Sequence, residues 1–216
     1  MKVEVKGRQI ELAPNSPPYL LKRMVADGFD IVLIFLLFLA FTALLMKTPL
    51  ADSYNAHADR LRAIEAETAA ALGDDAQAIG EALSGNAEYQ DEGFAASLNS
   101  YLLKAAACLL AELPILLLIP MGNRKRSTPG KLMAGVMPFN EKRQSRATRA
   151  QIFYRFLFVL LLDSLALYLY TGILTFLLVP VLRLTEMLLS GKKHKTICDF
   201  VTGIKIIETL SYDGIN

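Results

Sequence analysis

The stretch KRMVADGFD, residues 22–30, runs without a break into IVLIFLLFLAFTALLM, residues 31–46. Arg23, Asp27 and Asp30 thus stand at the mouth of an apolar run suited to lipid, where charges are costly unless paired, wet or useful. The uncharged part holds 16 residues, roughly 24 Å of helix at about 1.5 Å per residue. To match a hydrocarbon core of roughly 30 Å, the helix must extend back through Asp30 and Asp27. Arg23 and Asp30 then share a helix face, with Asp27 one turn from Arg23.

The other apolar residues are also gathered in blocks. Apolar side chains make up 53% of the 216 residues and charged ones 20%, and the mean hydropathy is +0.36. That combination describes a polytopic membrane protein with room for one small bundle and a modest insert. A second block covers Leu102 to Met121, interrupted by Glu112 and Pro114. A third covers 39 residues, Ile152 to Ser190, roughly 58 Å as one helix and about twice a bilayer's core. It should break at Thr171-Gly172 into Ile152 to Tyr170 and Ile173 to Ser190. Four spans are predicted; the competing count is three, with the last stretch lying in the interface. About 30 mostly polar residues precede the first block, too long and acidic a leader for an ordinary signal peptide, so that block is read as retained.

Charge sets the orientation. The linker 121–151 carries Arg124, Lys125, Arg126, Lys131, Lys142, Arg143, Arg146 and Arg149 against the single acid Glu141, and should be cytoplasmic. Residues 47–104 carry four cations against ten acids and fall on the opposite side. Four spans then leave both termini in the cytoplasm. The single membrane domain, residues 1–216, is expected to carry an extracytoplasmic insert at 47–101. HADRLRAIEAETAAALG and DDAQAIGEALSG read there as helical pieces separated near Gly73. Two uses of the insert compete: a hairpin capping the bundle, which is preferred, and a docking surface for a partner.

Three segments have strand character: KVEVKGRQIEL, KLMAGVMPF and FVTGIKIIE. Either they pair into a small cytoplasmic sheet or they are plain connections. Enzyme chemistry has no foothold: no GxxxxGK[ST], HExxH or GxSxG occurs, and the two histidines, His57 and His194, lie on opposite sides of the predicted membrane. Cys108 is in an apolar segment and Cys198 in a basic tail, so neither a disulfide nor a metal site is predicted. No cofactor is expected, and a net charge of +2 is too small to point to nucleic acid.

Intramembrane charge is what a function could use. Glu112 and Asp163 lie near the middle of their spans, and an ion or proton path is the preferred reading for them. Arg155 and Arg183 lie nearer the cytoplasmic ends, with Glu186 three residues from Arg183 on one face. For Arg23, Arg155 and Glu186 the preferred reading is pairing and snorkelling.

Arg23, Ala26 and Asp30 in RMVADGFD, then STPGKLMAG with Thr128, Pro129, Gly130, Lys131 and Gly135, then CDFVTGIKII with Asp199 and Gly203, resemble the three signatures of the RDD family of bacterial and archaeal membrane proteins. The likeness covers residues 19–46 and 102–208. It implies that Arg23, Asp30 and Asp199 are the family's charged residues, and that the linker and tail fold back against the start of the first helix. Two positions depart from the pattern: Cys198 where a histidine is common, and Ile204 where a threonine is frequent. The family includes proteins linked to sodium-proton antiport and others that accompany membrane complexes. Two functions are therefore expected to compete. The preferred one is an accessory or scaffold protein in the lipid bilayer, binding another membrane protein or its own copies. The alternative is a small cation/proton transporter with Glu112 and Asp163 on its path.

Overall fold

The computed structural model describes residues 2–5, 8–11, 17–73, 75–140, 142–143, 145–169, 181–182, 185–186, 188–189 and 195–208; for 2–5, 8–11, 17–19 and 166–169 it describes the backbone alone. Helices dominate. The chain divides into two compact units, Met1–Phe38 with Cys108–Asn216, and Leu39–Ala107.

Helix α1, Pro17–Leu45, runs straight through Asp27 and Asp30, as the length of its apolar part requires. Its Leu20–Leu45 portion is one of two helices among the described residues that are long and apolar enough to cross a membrane. The other is the 36-residue stretch Ala87–Gly122, roughly 54 Å long and therefore longer than a bilayer core. It consists of α4, Ala87–Glu112, a π-helical turn, Leu113–Leu118, and α5, Ile119–Gly122. The π turn falls at Pro114, whose ring displaces the carbonyl four residues earlier and which donates no hydrogen bond. Helix α7 is Arg149–Leu169. The predicted turn at Thr171-Gly172 and most of the predicted fourth span, Arg183 included, lie outside the described residues.

In the 39–107 unit, α2 covers Asp52–Leu72 and α3 Ala76–Gly85. The break comes at Gly73, which caps α2 with φ +69°, and at Asp75, whose side chain accepts from the backbone of Gln77 and Ala78 at the start of α3. Ion pairs Arg60–Glu88 and His57–Glu92 link α2 to α4.

Strands β1, Lys2–Val5, and β2, Arg8–Glu11, form an antiparallel hairpin of their own. The other two strand segments join each other: β3, Val136–Asn140, pairs with β5, Ile204–Glu208, on one side and with the short β4, Ser145–Arg146, on the other. One sheet from all three segments is therefore corrected to a hairpin and a separate sheet in the order β4-β3-β5. Pro138 explains the short partner. Its carbonyl accepts from Ala147 on the β4 side, and a strand residue's nitrogen faces the same way, so the missing donor lies where β4 is brief. Val136, Ile204 and Ile206 from this sheet pack with Ala26 of α1, Leu117 of the π turn, and Ile152 and Phe156 of α7 into one apolar core.

Candidate functional site

The core abuts a cluster of buried charges. Arg23 and Asp30 on α1 are 1% and 3% exposed, Lys131 2% and Asp199 0%. Each comes from a different turn or element, and local structure explains how each is aimed.

Thr128-Pro129-Gly130-Lys131 starts the short helix α6, Pro129–Met133, with proline at its first position, where a missing N–H is harmless. Asp30 supplies from α1 what α6 lacks at its start. Its Oδ1 accepts from the Gly130 backbone N–H at 2.7 Å, and its Oδ2 accepts from the Thr128 hydroxyl in a short hydrogen bond. Glycine is required at 130 because a Cβ there would stand 2.0 Å from the Ala26 carbonyl oxygen. Lys131 Nζ donates to Asp27 Oδ1 at 2.7 Å and lies 3.6 Å from Asp30 Oδ2.

Asp199 arrives on helix α8, Ile197–Thr202, through a reciprocal cap: Asp199 N–H donates to Thr196 Oγ1 at 3.2 Å, and Thr196 N–H to Asp199 Oδ2 at 3.4 Å. Gly203 ends α8 with φ +64°, the left-handed conformation that turns the chain into β5. The Asp199 carboxylate forms a short hydrogen-bonded ion pair with Arg23 Nη2 and a second ion pair with Arg155 Nη2 of α7 at 3.0 Å. Burial pushes its carboxyl up, but the charges of Arg155, Arg23 and Lys131 and the Thr196 N–H outweigh that and hold it well below its ordinary range. Lys22 Nζ adds a bond from α1 to Glu208 of β5, 3.2 Å long.

A cavity of about 30 Å³ opens among these groups, bordered by Asp27, Asp30, Thr128, Lys131 and Arg155 and by apolar side chains such as Phe156. That is room for about two waters.

The sequence-predicted motif residues Arg23, Asp27, Asp30, Thr128, Pro129, Gly130, Lys131 and Asp199 thus meet in one place, while Gly203 stands at the far end of α8, near Gln151. Their pairing follows helix-face spacing only for Arg23 with Asp27. Arg23 pairs with Asp199, and with Asp27 at 3.9 Å, while Asp30 bonds to α6. Arg155, read as pairing and snorkelling, does pair, and its partner is Asp199. The Thr196-x-x-Asp199 cap was missed, although the spacing of a capping box was legible. Glu186 Oε2 accepts from the Ile197 N–H at the start of α8, 3.1 Å away; its expected neighbour Arg183 lies outside the described residues. Glu112, 1% exposed, accepts from Cys108 Sγ at 3.2 Å, and Asp163 is half-buried on α7. Neither borders the cavity.

Two helices long and apolar enough to cross a membrane, with an internally paired charge cluster at the start of the first, are compatible with a helical membrane protein. The RDD family model matches residues 17–203, and the chain belongs to the RDD family. No curated protein and no solved structure matches the chain.

Proposed function

We propose that this protein is a non-enzymatic accessory or scaffold subunit of a bacterial or archaeal cytoplasmic membrane, binding another membrane protein or copies of itself. In this reading α1, the α4–α5 stretch, α7 and a fourth segment after it form a four-span bundle. Both termini and the 121–151 linker are cytoplasmic, and the 47–101 insert is on the other side. The observation that carries the reading is the self-sufficiency of the motif. Arg23, Arg155 and Lys131 face Asp199, Asp27 and Asp30 in one network, which leaves a cavity of only about 30 Å³. Such a network fastens elements together, and its charges are occupied with one another rather than lining an open cavity among the described residues. Exposed Phe94 and Leu98 on α4 supply apolar surface for a partner.

The test is mild-detergent pull-down from the native membrane together with purified protein in proteoliposomes holding a pH dye. A stoichiometric companion or a homo-oligomer is expected, with no pH change on sodium or potassium gradients. A lone monomer would overturn the reading.

One observation favours the second reading, a cation/proton transporter of the sodium-proton antiport type. Glu112 is buried in an apolar helix beside a π turn, a place where intramembrane carboxylates often serve ions or protons. In that case the proteoliposomes give a cation-driven signal that Glu112→Gln abolishes while the protein accumulates normally.

A further inference from the structure

The charge network balances within itself, with Arg23, Lys131 and Arg155 facing Asp27, Asp30 and Asp199. The small cavity beside it has one cation more. Arg126 borders it together with Lys131 and Arg155, against Asp27 and Asp30, and among the described residues no carboxylate pairs with Arg126. Its guanidinium donates through Nη1 to the Met121 carbonyl in a short hydrogen bond, which uses one of several donors and neutralises no charge. A second donor is left over on the same wall. Arg155 directs Nη2 to Asp199 at 3.0 Å, while its Nε, shielded from solvent, has no hydrogen-bond acceptor among the described residues. A buried donor in that state is costly.

The backbone holds Arg126 there under strain. Among the described residues it is the one non-glycine with a positive φ, +56°, a conformation uncommon for a side chain of its size. Asn123 over-determines the turn. Its carbonyl accepts from the Arg126 N–H at 3.3 Å, its Oδ1 accepts from the Ser127 N–H at 3.1 Å, and its Nδ2 donates to the Ser127 carbonyl at 2.7 Å. Strain maintained in this way clusters at ligand clamps. Volume and walls then select the ligand. About 30 Å³ admits two waters or one halide-sized ion, and is smaller than a tetrahedral oxyanion or an organic acid needs. Asp27 and Asp30 are themselves held by Lys131, at 2.7 Å and 3.6 Å, so the charge left to be met is positive. Buried Ile152 and Phe156 on the apolar side keep the local dielectric low and strengthen the attraction between an anion and the guanidinium groups.

We infer that this cavity binds one monatomic anion of chloride size, held between Arg126 and Arg155. The ion gives the Arg155 Nε an acceptor and brings the cluster to charge balance, with Arg23, Arg126, Lys131 and Arg155 facing Asp27, Asp30, Asp199 and the ion. It thereby fastens the turn before α6 to α7.

Purified full-length protein in detergent is melted while chloride replaces gluconate at constant ionic strength. Tm should be flat at low chloride and then rise by about 3–5 °C per tenfold chloride, the response to a ligand that binds only the folded chain. Bromide should act as chloride does, and acetate, too large for the cavity, should not. Arg126→Gln should remove the rise. Arg149→Gln, which alters an exposed cation away from the cavity wall, should keep it. A Tm indifferent to chloride overturns the inference, since water alone then fills the cavity. A rise that Arg126→Gln retains overturns it by placing the ion elsewhere, and a rise that acetate matches does so by reporting a general anion effect. Should Arg126→Gln fail to accumulate, crystals of the native protein grown in bromide decide. An anomalous peak beside Arg126 and Arg155 supports the site, and its absence overturns it.

Discussion

Arg23 and Asp199, 176 positions apart in the chain, meet as a buried ion pair in which each side chain is almost inaccessible to solvent. Arg155 approaches the same carboxylate from α7. One acid therefore ties together two helices and the tail, and its removal takes the closest carboxylate from two arginines.

Asp199→Asn keeps the size of the side chain but removes its charge. The variant should lose about 3–5 kcal/mol of stability, the usual consequence of leaving a buried charge without its partner. Thermal denaturation in detergent and membrane abundance measure it. A double-mutant cycle with Arg23→Gln should show strong coupling, because each change removes the same contact.

The acid limb of stability should depend on Asp199. Its carboxyl is held well below the ordinary 3.8 by the cations around it, so near that value the unfolded chain binds the proton more readily than the folded one. The contribution is fully present above about pH 4 and is lost as pH falls from there toward the folded value. Unfolding midpoints between pH 6 and 3 should fall more steeply for the native protein than for Asp199→Asn.

Asp30→Ala removes the acceptor of the Thr128 hydroxyl and of the Gly130 N–H. A loss of about 1–3 kcal/mol is expected for each buried donor left unsatisfied. Because Arg23 has its own carboxylate, adding Arg23→Ala should not restore the lost abundance. Rescue would mean that Asp30 is the partner of Arg23 after all.

Gly130→Ala should destabilise by about 1–3 kcal/mol, the usual cost of forcing atoms into a packed site, because the new methyl meets the Ala26 carbonyl. Gly28→Ala, two residues farther along the same helix from Ala26, meets nothing within 4 Å. It should be neutral or add up to about 1 kcal/mol through helix propensity. Paired melting curves separate the two.

Topology is checked by cysteine labelling on a background lacking Cys108 and Cys198. A cysteine at Ser84 should react with an impermeant reagent applied to intact cells whose outer barrier is opened, and a cysteine at Ser145 should not. The reverse pattern would invert the proposed orientation.

Much of the fold was legible because it follows from one-dimensional physics. The reach of a bilayer forces α1 back through Asp27 and Asp30, Gly73 and Asp75 punctuate the insert, and Pro114 disturbs its helix. The site was legible only as a set of residues. Arg23 and Asp30 share a face, but two turns separate them by about 10 Å, so spacing supplied only Asp27, one turn from Arg23. Their other partners come from α6 and α8, through contacts that no single-element pattern encodes; only the family resemblance placed the linker and the tail against this end. The N-terminal strands alternate like the other strands, and alternation does not say which edge a strand will choose.

The distance along the chain between Arg23 and Asp199 also orders events during synthesis. The ribosome finishes α1, the insert, α6 and α7 before the acid that joins them emerges, so Arg23 meets this carboxylate only after the other elements of the cluster have been made. Closure of the cluster therefore waits for α8. A chain cut short before residue 199 would lack the carboxylate shared by Arg23 and Arg155, a defect through which membrane proteases could recognise unfinished copies.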